Sequence, residues 1–383
     1  MKPLQNRFLA LDVFRGLTVC FMIIVNTAGD KTMRFAPLMH ADWHGFTPTD
    51  LVFPSFLFAV GNAMAFVMPK LHKLTPLDFV LKVGKRSVII FLLGFLMYWF
   101  PFMKWDETGQ LVGKSISETR ILGVLQRIAL AYFAASLLVY FIQNKIQQPR
   151  RMSAILMLSI GILGVYWLLL MLLGDPTDPL SIQGNIVVHA DHFLFGDRHL
   201  YTMQGLPFDP EGLLSTLPVI VNVLAGYLAG QFIIEKGKTY EGLAKLLLIG
   251  FGLVLLSEAW NWILPINKKL WTSSFVTYTI GLDCFIIAAI IYMIDFKNIK
   301  TGTSFFTVFG KNALFIYLLS ELLAISLKFS RITYDKTYFQ WTYQTFFQPI
   351  GGKMGSLIFA IVFMLVCWLV GFIMDKKGVY IKV

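Results

Sequence analysis

The sequence predicts an all-α polytopic membrane protein, and three observations lead to this fold class. Of its 383 residues, 56% are hydrophobic and only 14% are charged. The mean hydropathy of +0.67 is well above that of soluble globular domains. Apolar runs of about 20 residues recur along the chain, and each is long enough to cross a bilayer core of about 30 Å.

The apolar runs predict about ten transmembrane helices in a single domain that covers 1–383. In chain order the predicted spans are 8–27, 49–69, 86–103, 120–142, 153–173, 212–233, 243–262, 274–295, 304–327 and 353–374. The longest predicted outer loop, 174–211, is rich in Asp, Gly and His. Such a loop suits a lid or an acceptor-binding surface.

The distribution of basic residues predicts an N-in, C-in orientation. Ten spans place both termini on one side, and the loops of that side hold 18 Lys and Arg residues against 11 on the other. Cytoplasmic loops carry the excess of positive charge, so the richer side is assigned to the inside. This topology accounts for the net charge of +11, which in a soluble chain would suggest nucleic acid. His40 then faces the exterior.

The stretch 26–62, between the first two apolar runs, is where we expect the chemistry. It contains the polar residues Asn26, His40, Asp42, Trp43, His44 and Asp50. Thr47 suits the N-cap of the second span and Pro48 its first helical position. Two rigid spans would therefore hold titratable groups at a membrane surface, although loops between spans are usually only connectors.

His40 is the leading catalytic candidate. An imidazole can remove the proton of an acceptor, or take the acyl group itself, near neutral pH. The alternative is an interfacial histidine that only hydrogen-bonds nearby backbone. Asp50 could orient His40 or His44, or it could compensate the positive end of the helix dipole. His44 lies four residues after His40, but no third ligand stands at motif spacing, so no metal site is predicted.

Asn26 ends the first span. Its amide could orient His40 or donate to a developing oxyanion, or it could simply cap the helix.

Further along, seven ionisable residues fall inside predicted spans, and each would cost about 3 kcal/mol in hydrocarbon unless it faces the bundle interior and pairs. They are Asp12, Arg15, Arg127, Glu258, Asp283, Lys311 and Glu321. Asp12 and Arg15 share one helix face and could neutralise each other.

Motifs from the first span to the ninth resemble those of a known family. They are LDVFRGLTV at 11–19, His40-Ala41-x-Trp43-x-Gly45, TPTDLVFPSFLFAVG at 47–61, GVLQRIALAY at 123–132, FDPEGLLSTLP at 208–218, PINKKLWTSSF at 265–275 and GKNALFIYLLSE at 310–321. This pattern is similar to that of the heparan-α-glucosaminide N-acetyltransferase-like transmembrane acyltransferases, which include bacterial relatives. The resemblance aligns His40 with the family's essential histidine and Asn26 with its VN position.

The resemblance implies acetyl-CoA as cosubstrate, a glucosamine-type acceptor and a place in the bacterial cytoplasmic membrane. Acetyl-CoA carries its phosphates on the cytosolic side, where cations would bind them. The candidates for coenzyme binding are Arg15, Lys85, Arg86, Arg127, Lys311 and Asn312. The candidates for acceptor binding are Asp42, Trp43, His44, His192 and Glu258.

We therefore expect a transmembrane acetyltransferase that moves the acetyl group of cytosolic acetyl-CoA to an amino sugar on the outer side. The expected partners are these two substrates and membrane lipid, not nucleic acid, and a homodimer is an open alternative. Two rival functions remain at this point. One is an amino-sugar transporter, which would also need polar groups inside the membrane. The other is an O-acetyltransferase of an envelope polysaccharide.

Overall fold

Helices form most of the structure, a computed structural model that describes residues 8–203 and 205–381. The helices of this described part are α1 Leu9–Asn26, α2 Pro48–Leu71, α3 Pro76–Trp99, α4 Val124–Lys145, α5 Arg150–Leu173, α6 Ile186–Phe195, α7 Thr216–Lys236, α8 Tyr240–Asn261, α9 Ser273–Ile291, α10 Thr303–Lys311, α11 Ala313–Phe329, α12 Tyr338–Thr342 and α13 Gly352–Lys376. A π-helical turn, Tyr292–Phe296, extends α9. Three basic residues of the topology count, Lys2, Arg7 and Lys382, lie outside the described residues.

Eight helices of the described part are long and apolar enough to cross a membrane. They are α1, α2, α4, α5, α7, α8, α13 and α9 with its π-helical extension. The pair α10 and α11 would count as a ninth span, but its two helices are bent by 83°. The predicted all-α polytopic architecture is confirmed. The number of spans is eight or nine by length and composition, rather than the ten predicted.

Two predicted spans differ from the observed helices for local reasons. The third begins at Pro76 instead of 86, because the Thr75 hydroxyl caps the helix by accepting the backbone N–H of Asp78 at 3.2 Å. The early turns of α3 therefore contain Asp78, Lys82, Lys85 and Arg86, which make this half too polar for a span. The ninth is not continuous, because Asn312 has a non-helical φ of −124° and ψ of 37°.

Short antiparallel hairpins lie in the connections between helices. β1 Met103–Trp105 pairs with β2 Leu111–Gly113, β3 Thr202–Met203 with β4 Leu206–Pro207, and β5 Arg331–Thr333 with β6 Lys336–Thr337. In the first hairpin Lys104 lies opposite Val112. None of these strands is longer than three residues, so the hairpins shape loops without adding a sheet to the core.

The bundle has two ends, which we call the His40 end and the opposite end. The His40 end is where α1 finishes and α2 begins, with the 27–47 connection between them. At the opposite end α1 begins and α10 finishes: Gly310 packs against the backbone of Asp12. Lys311 there pairs with Asp375 near the end of α13, at 2.7 Å. The start of α1 and the end of α13 thus lie together.

Helices α2 and α7 cross closely in the core. A side chain at Gly61 would collide with the backbone carbonyl of Val223, and one at Gly226 with the carbonyl of Phe58. Small residues at such crossings let two backbones approach, which increases van der Waals contact where lipid gives no hydrophobic driving force. This crossing fixes α2, and therefore Asp50 in its first turn.

The 174–211 segment is an ordered structure with a small core of its own. Val187 of α6 and Phe208 are fully buried there, beside Tyr166 of α5 and Leu270. The Tyr166 hydroxyl donates to the Leu270 carbonyl at 2.5 Å. The segment thus packs over the His40 end instead of extending into solvent.

Candidate active site

The loop that carries His40 is fixed at two points just after this residue. The backbone N–H of Gly45 donates to the Ile266 carbonyl at 2.8 Å. The indole N–H of Trp43 donates to the Leu180 carbonyl at 2.9 Å. The 27–47 connection is therefore tied both to the 265–272 turn before α9 and to the 174–211 segment.

His40 and Asp50 form a hydrogen-bonded dyad. His40 Nδ1 lies 2.7 Å from Asp50 Oδ1, and the Asp50 side chain is only 1% exposed. Asp50 Oδ2 accepts the backbone N–H groups of Ala41 at 3.1 Å and Thr47 at 3.0 Å. These donors stabilise the carboxylate, and a carboxylate oxygen at this distance requires a proton on Nδ1. His40 Nε2 then carries the lone pair, and it has no hydrogen-bond partner among residues 8–203 and 205–381.

Lys268 completes a triad around His40. Its Nζ lies 3.0 Å from His40 Nδ1 and 3.5 Å from Asp50 Oδ1. The lysine side chain is 17% exposed, whereas that of His40 is 46% exposed. Lys268 was not among the residues predicted from the sequence. The motif PINKKLWTSSF contains it, but nothing in that motif distinguished it from the adjacent Lys269.

The electrostatics of the triad favour a neutral imidazole. Partial burial lowers the pKa of His40, the hydrogen bond to Asp50 raises it, and the charge of Lys268 lowers it further. The net pKa of His40 lies below its ordinary value. Burial also lowers the pKa of Lys268, while Asp50 and Glu211 act in the opposite direction. An unprotonated imidazole at neutral pH is the form that can act as a base.

A second polar cluster surrounds Arg120, just before α4. Its guanidinium donates to Asp209 at 2.8 and 2.5 Å and to Glu211 at 2.5 Å. It also donates to the Tyr98 hydroxyl at 3.3 Å. Glu211 connects this cluster to the triad, because its charge acts on both His40 and Lys268. Sequence reasoning missed this cluster, although FDPEGLLSTLP supplies Asp209 and Glu211.

Asn26 bonds to Glu321, not to His40. The Asn26 amide donates to Glu321 Oε1 at 3.0 Å, which joins the end of α1 to α11. One of the three alternatives predicted for Asn26, orientation of His40, therefore has no contact to support it. Glu321 acts electrostatically on Tyr98, the tyrosine that also contacts Arg120. The charge of Glu321 thus acts on a tyrosine of the Arg120 cluster, and the second amide N–H of Asn26 remains able to donate.

Three of the residues predicted to bind the acceptor lie together. Asp42, Trp43 and His44 line an open cleft of about 360 Å³, opposite Asp178 and Ser181 of the 174–211 segment. Burial lowers the pKa of His44, and Asn267 Nδ2 lies 3.3 Å from its Nδ1. The cleft combines an aromatic ring with polar groups, as sugar-binding surfaces do.

The other two predicted acceptor residues are placed elsewhere. Both ring nitrogens of His192 are engaged within the 174–211 segment: Nε2 lies 2.7 Å from the Pro207 carbonyl and Nδ1 2.6 Å from Asp197. Glu258 lies on the exposed face of α8, where its charge acts on Tyr278. Neither residue contacts the triad.

The predicted coenzyme-binding cations do not form one ring. At the opposite end, Arg15 pairs with Asp12 at 2.9 Å and Lys311 with Asp375. Lys85 and Arg86 are exposed on α3, and Arg86 stacks over the ring of Tyr132. Asn312 binds the C-terminal segment, donating to the Val379 carbonyl at 3.0 Å and accepting from the Ile381 N–H at 3.0 Å.

Arg127 lies at the His40 end, away from the other residues predicted to bind the coenzyme. It is fully buried in the first turn of α4, where it donates to the Gly212 carbonyl at 3.0 Å and contacts Ser215. Its guanidinium stacks 5.0 Å above the ring of Trp271. Gly212 and Ser215 directly precede α7, and Trp271 directly precedes α9. The Arg127 side chain therefore joins the first turn of α4 to the starts of α7 and α9, which lie at the same end of the bundle.

The sequence was compared with known proteins. No protein-family model matches it. It is 28% identical over 372 residues to human heparan-α-glucosaminide N-acetyltransferase, a match that covers 84% of this chain and 54% of the human protein. The mouse protein of the same name is 29% identical over 368 residues, with 83% of this chain and 54% of the relative covered. The chain thus spans about half the length of these relatives. The resemblance predicted from the motifs is confirmed: over most of its length, this chain is similar to two heparan-α-glucosaminide N-acetyltransferases.

Proposed function

We propose that this protein transfers the acetyl group of acetyl-CoA to the amine of a glucosamine-type sugar. The observation that carries the proposal is the His40–Asp50 dyad, an imidazole held through Nδ1 by a buried carboxylate at 2.7 Å. The relatives' name supports the amine as acceptor and the acetyl group as cargo. The same name favours an N-acetyltransferase over a permease or an O-acetyltransferase.

In the proposed reaction, His40 Nε2 takes a proton from the attacking amine nitrogen. The new C–N bond forms at the thioester carbonyl, the C–S bond breaks, and the proton passes to the leaving sulfur. Asp50 keeps the imidazole in the required tautomer and stabilises the imidazolium that forms. The second amide N–H of Asn26 is a candidate donor to the carbonyl oxygen as negative charge develops there.

We further propose that the opposite end faces the cytosol, so that the chain lies N-in and C-in in a bacterial cytoplasmic membrane. The excess of basic residues in the loops of that side supports this orientation. The phosphates of acetyl-CoA fit there, because Lys85 and Arg86 are exposed and Arg15 and Lys311 lie at the same end. Only the acetyl group would then cross the membrane, which avoids moving a charged substrate through it.

The test is transfer by the purified protein in proteoliposomes loaded with acetyl-labelled acetyl-CoA. Glucosamine is supplied outside, and glucose serves as a matched acceptor that offers only hydroxyl groups. We expect labelled N-acetylglucosamine outside the vesicles and no acetylated glucose. Uptake of glucosamine without thioester cleavage would instead indicate a permease, and labelled glucose an O-acetyltransferase. Either result would overturn the proposal.

A further inference from the structure

We propose that Lys268 is a positioning residue for His40: its ammonium group lies against both the imidazole ring and Asp50 and sets the pH at which the base becomes available. The inference rests on the proposed function only in giving His40 the role of base. The geometry of the triad itself carries the rest.

Lys268 is presented by a rigid turn. Asn267 Oδ1 accepts the Leu270 N–H at 2.8 Å, and the Asn267 N–H donates to the Thr272 hydroxyl at 3.0 Å. Trp271, which is only 1% exposed, anchors the turn through its indole N–H, which donates to Asn222 at 3.0 Å. A lysine on a flexible loop would contribute little, since both its backbone and its side chain would lose freedom on making these contacts. A turn fixed in this way already holds the Lys268 backbone beside His40, so only the side chain remains to be ordered.

The charges around His40 favour one arrangement of protons. An ammonium group has no lone pair, so it cannot accept the Nδ1 proton that His40 gives to Asp50. Its 3.5 Å approach to Asp50 Oδ1 is the attractive contact, and its 3.0 Å approach to His40 Nδ1 places a positive charge against the ring. That charge opposes a second proton on the imidazole. Lys268 therefore stabilises Asp50 as a carboxylate while it keeps His40 Nε2 unprotonated.

The charged groups that face this pair come from three elements. Asp50 belongs to α2, Lys268 and Lys269 to the 265–272 turn, and Glu211 to the segment before α7. Burial opposes the protonated ring most strongly, the two carboxylates favour it, and Lys268 is the cation that opposes it. Lys269 points its ammonium to the Asp42 carbonyl instead.

The experiment measures the protonation of His40 without requiring turnover. Diethyl pyrocarbonate modifies only the neutral imidazole, and its rate at His40 is followed by peptide mass spectrometry from about pH 5 to pH 9, a range that brackets an ordinary histidine. The variants are Lys268→Met, Lys268→Arg and, as a control at the same end, Lys104→Met. Lys104 is half exposed and pairs with Glu118 on the surface. If Lys268→Met does not fold, Lys268→Gln replaces it.

We expect Lys268→Met to raise the midpoint of His40 modification by about one pH unit or more, as loss of a charge within 4 Å should. Lys268→Arg and Lys104→Met should keep the wild-type midpoint. In the transfer assay, the acidic limb of the pH–rate profile should move with the modification midpoint. An unchanged midpoint in Lys268→Met, or an Arg variant that shifts as far as the Met variant, would overturn the proposal. A shifted midpoint in a protein that transfers no acetyl group would leave Lys268 in place and refute the proposed function.

Discussion

At the residue scale, the His40–Asp50 dyad depends on how α2 begins. Thr47 is the N-cap and Pro48 the first helical residue, so Asp50 occupies the third helical position. From there its carboxylate accepts the backbone N–H of Thr47 and also reaches Ala41 and His40. One carboxylate thus caps the helix and orients the imidazole. The two roles that the sequence suggested for Asp50 are compatible, and the structure gives it contacts for both.

We predict that His40→Ala lowers the transfer rate by at least about 100-fold, since general base catalysis contributes that much or more. The folded state and donor binding should be retained, because the His40 side chain is 46% exposed. The matched control is His72→Ala, a histidine at the far end of the same helix. The measurement is steady-state transfer to glucosamine, with thermal unfolding of both variants. A loss below about tenfold would remove His40 from the role of base.

The site could be predicted only where its residues are near in the sequence. His40 and Asp50 are ten residues apart, and the helix-start pattern between them gives the register. Lys268 lies 228 residues from His40, and Glu321 lies 295 residues from Asn26. No local pattern links positions so distant, because the contact arises from the packing of whole helices. The family motifs marked the segments that contain Lys268 and Glu321, but not which of their residues meet.

At the element scale, two features set the geometry of the bundle: the α2–α7 crossing and the break between α10 and α11. Apolar runs predict where helices lie, and here each long helix of the described residues overlaps a predicted apolar run. They do not predict breaks, because α10 and α11 are both apolar and Lys311 and Asn312 at their junction are only two polar residues in a long run. At the bend the Asn312 side chain bonds to the C-terminal segment, and that is a tertiary contact.

We predict that Gly226→Ala destabilises the protein by about 1–3 kcal/mol, the usual cost of overpacking a core. The added methyl group would collide with the Phe58 carbonyl and push α7 away from α2. The control is Gly161→Ala, since a methyl group there meets no atom within 4 Å on α5. The midpoint of thermal unfolding in detergent should fall for Gly226→Ala and stay level or rise for Gly161→Ala. Equal midpoints for both variants would contradict the role given to this crossing.

We predict that Arg15→Gln raises the KM for acetyl-CoA by about tenfold, the loss expected when a hydrogen bond to a charged group is removed. The substitution also leaves Asp12 without this cation, which now lies 2.9 Å away. The double variant Asp12→Asn/Arg15→Gln removes both charges and serves as the control. A KM that stays high in the double variant supports a donor-binding role. A KM that returns to the wild-type value would restrict Arg15 to neutralising Asp12.

At the scale of the whole molecule, the two ends of the bundle differ in chemistry. The His40 end carries the triad, the Arg120 cluster and the open cleft beside Trp43, and the 174–211 segment packs over it. The opposite end carries ion-paired and exposed cations. Composition alone predicts a membrane protein, and charge counts predict its orientation. The meeting of the polar groups at one end follows from the helix order and packing, which composition does not contain.

This two-ended arrangement bears on whether an acetyl-enzyme forms. We predict direct transfer through a ternary complex, with His40 as base. A thioester is already activated, so a covalent intermediate gains little unless the two substrates cannot meet. In the proposed topology they approach from opposite ends, and direct transfer requires both to be held at once near His40. Holding them together supplies the proximity that makes such a transfer fast.

The opposing case is chemically sound, because acetyl-imidazole is a competent acyl donor and a ping-pong reaction would let coenzyme A leave before the sugar arrives. A proton on Nδ1 leaves Nε2 free in both mechanisms, so labelling of His40, and not the geometry of the triad, separates them. The measurement is to incubate the protein with acetyl-labelled acetyl-CoA and no acceptor, quench it, and map the label. We expect no stoichiometric label on His40. Label that appears there and passes to added glucosamine at the turnover rate would make His40 the nucleophile, and the same dyad would then serve to activate it.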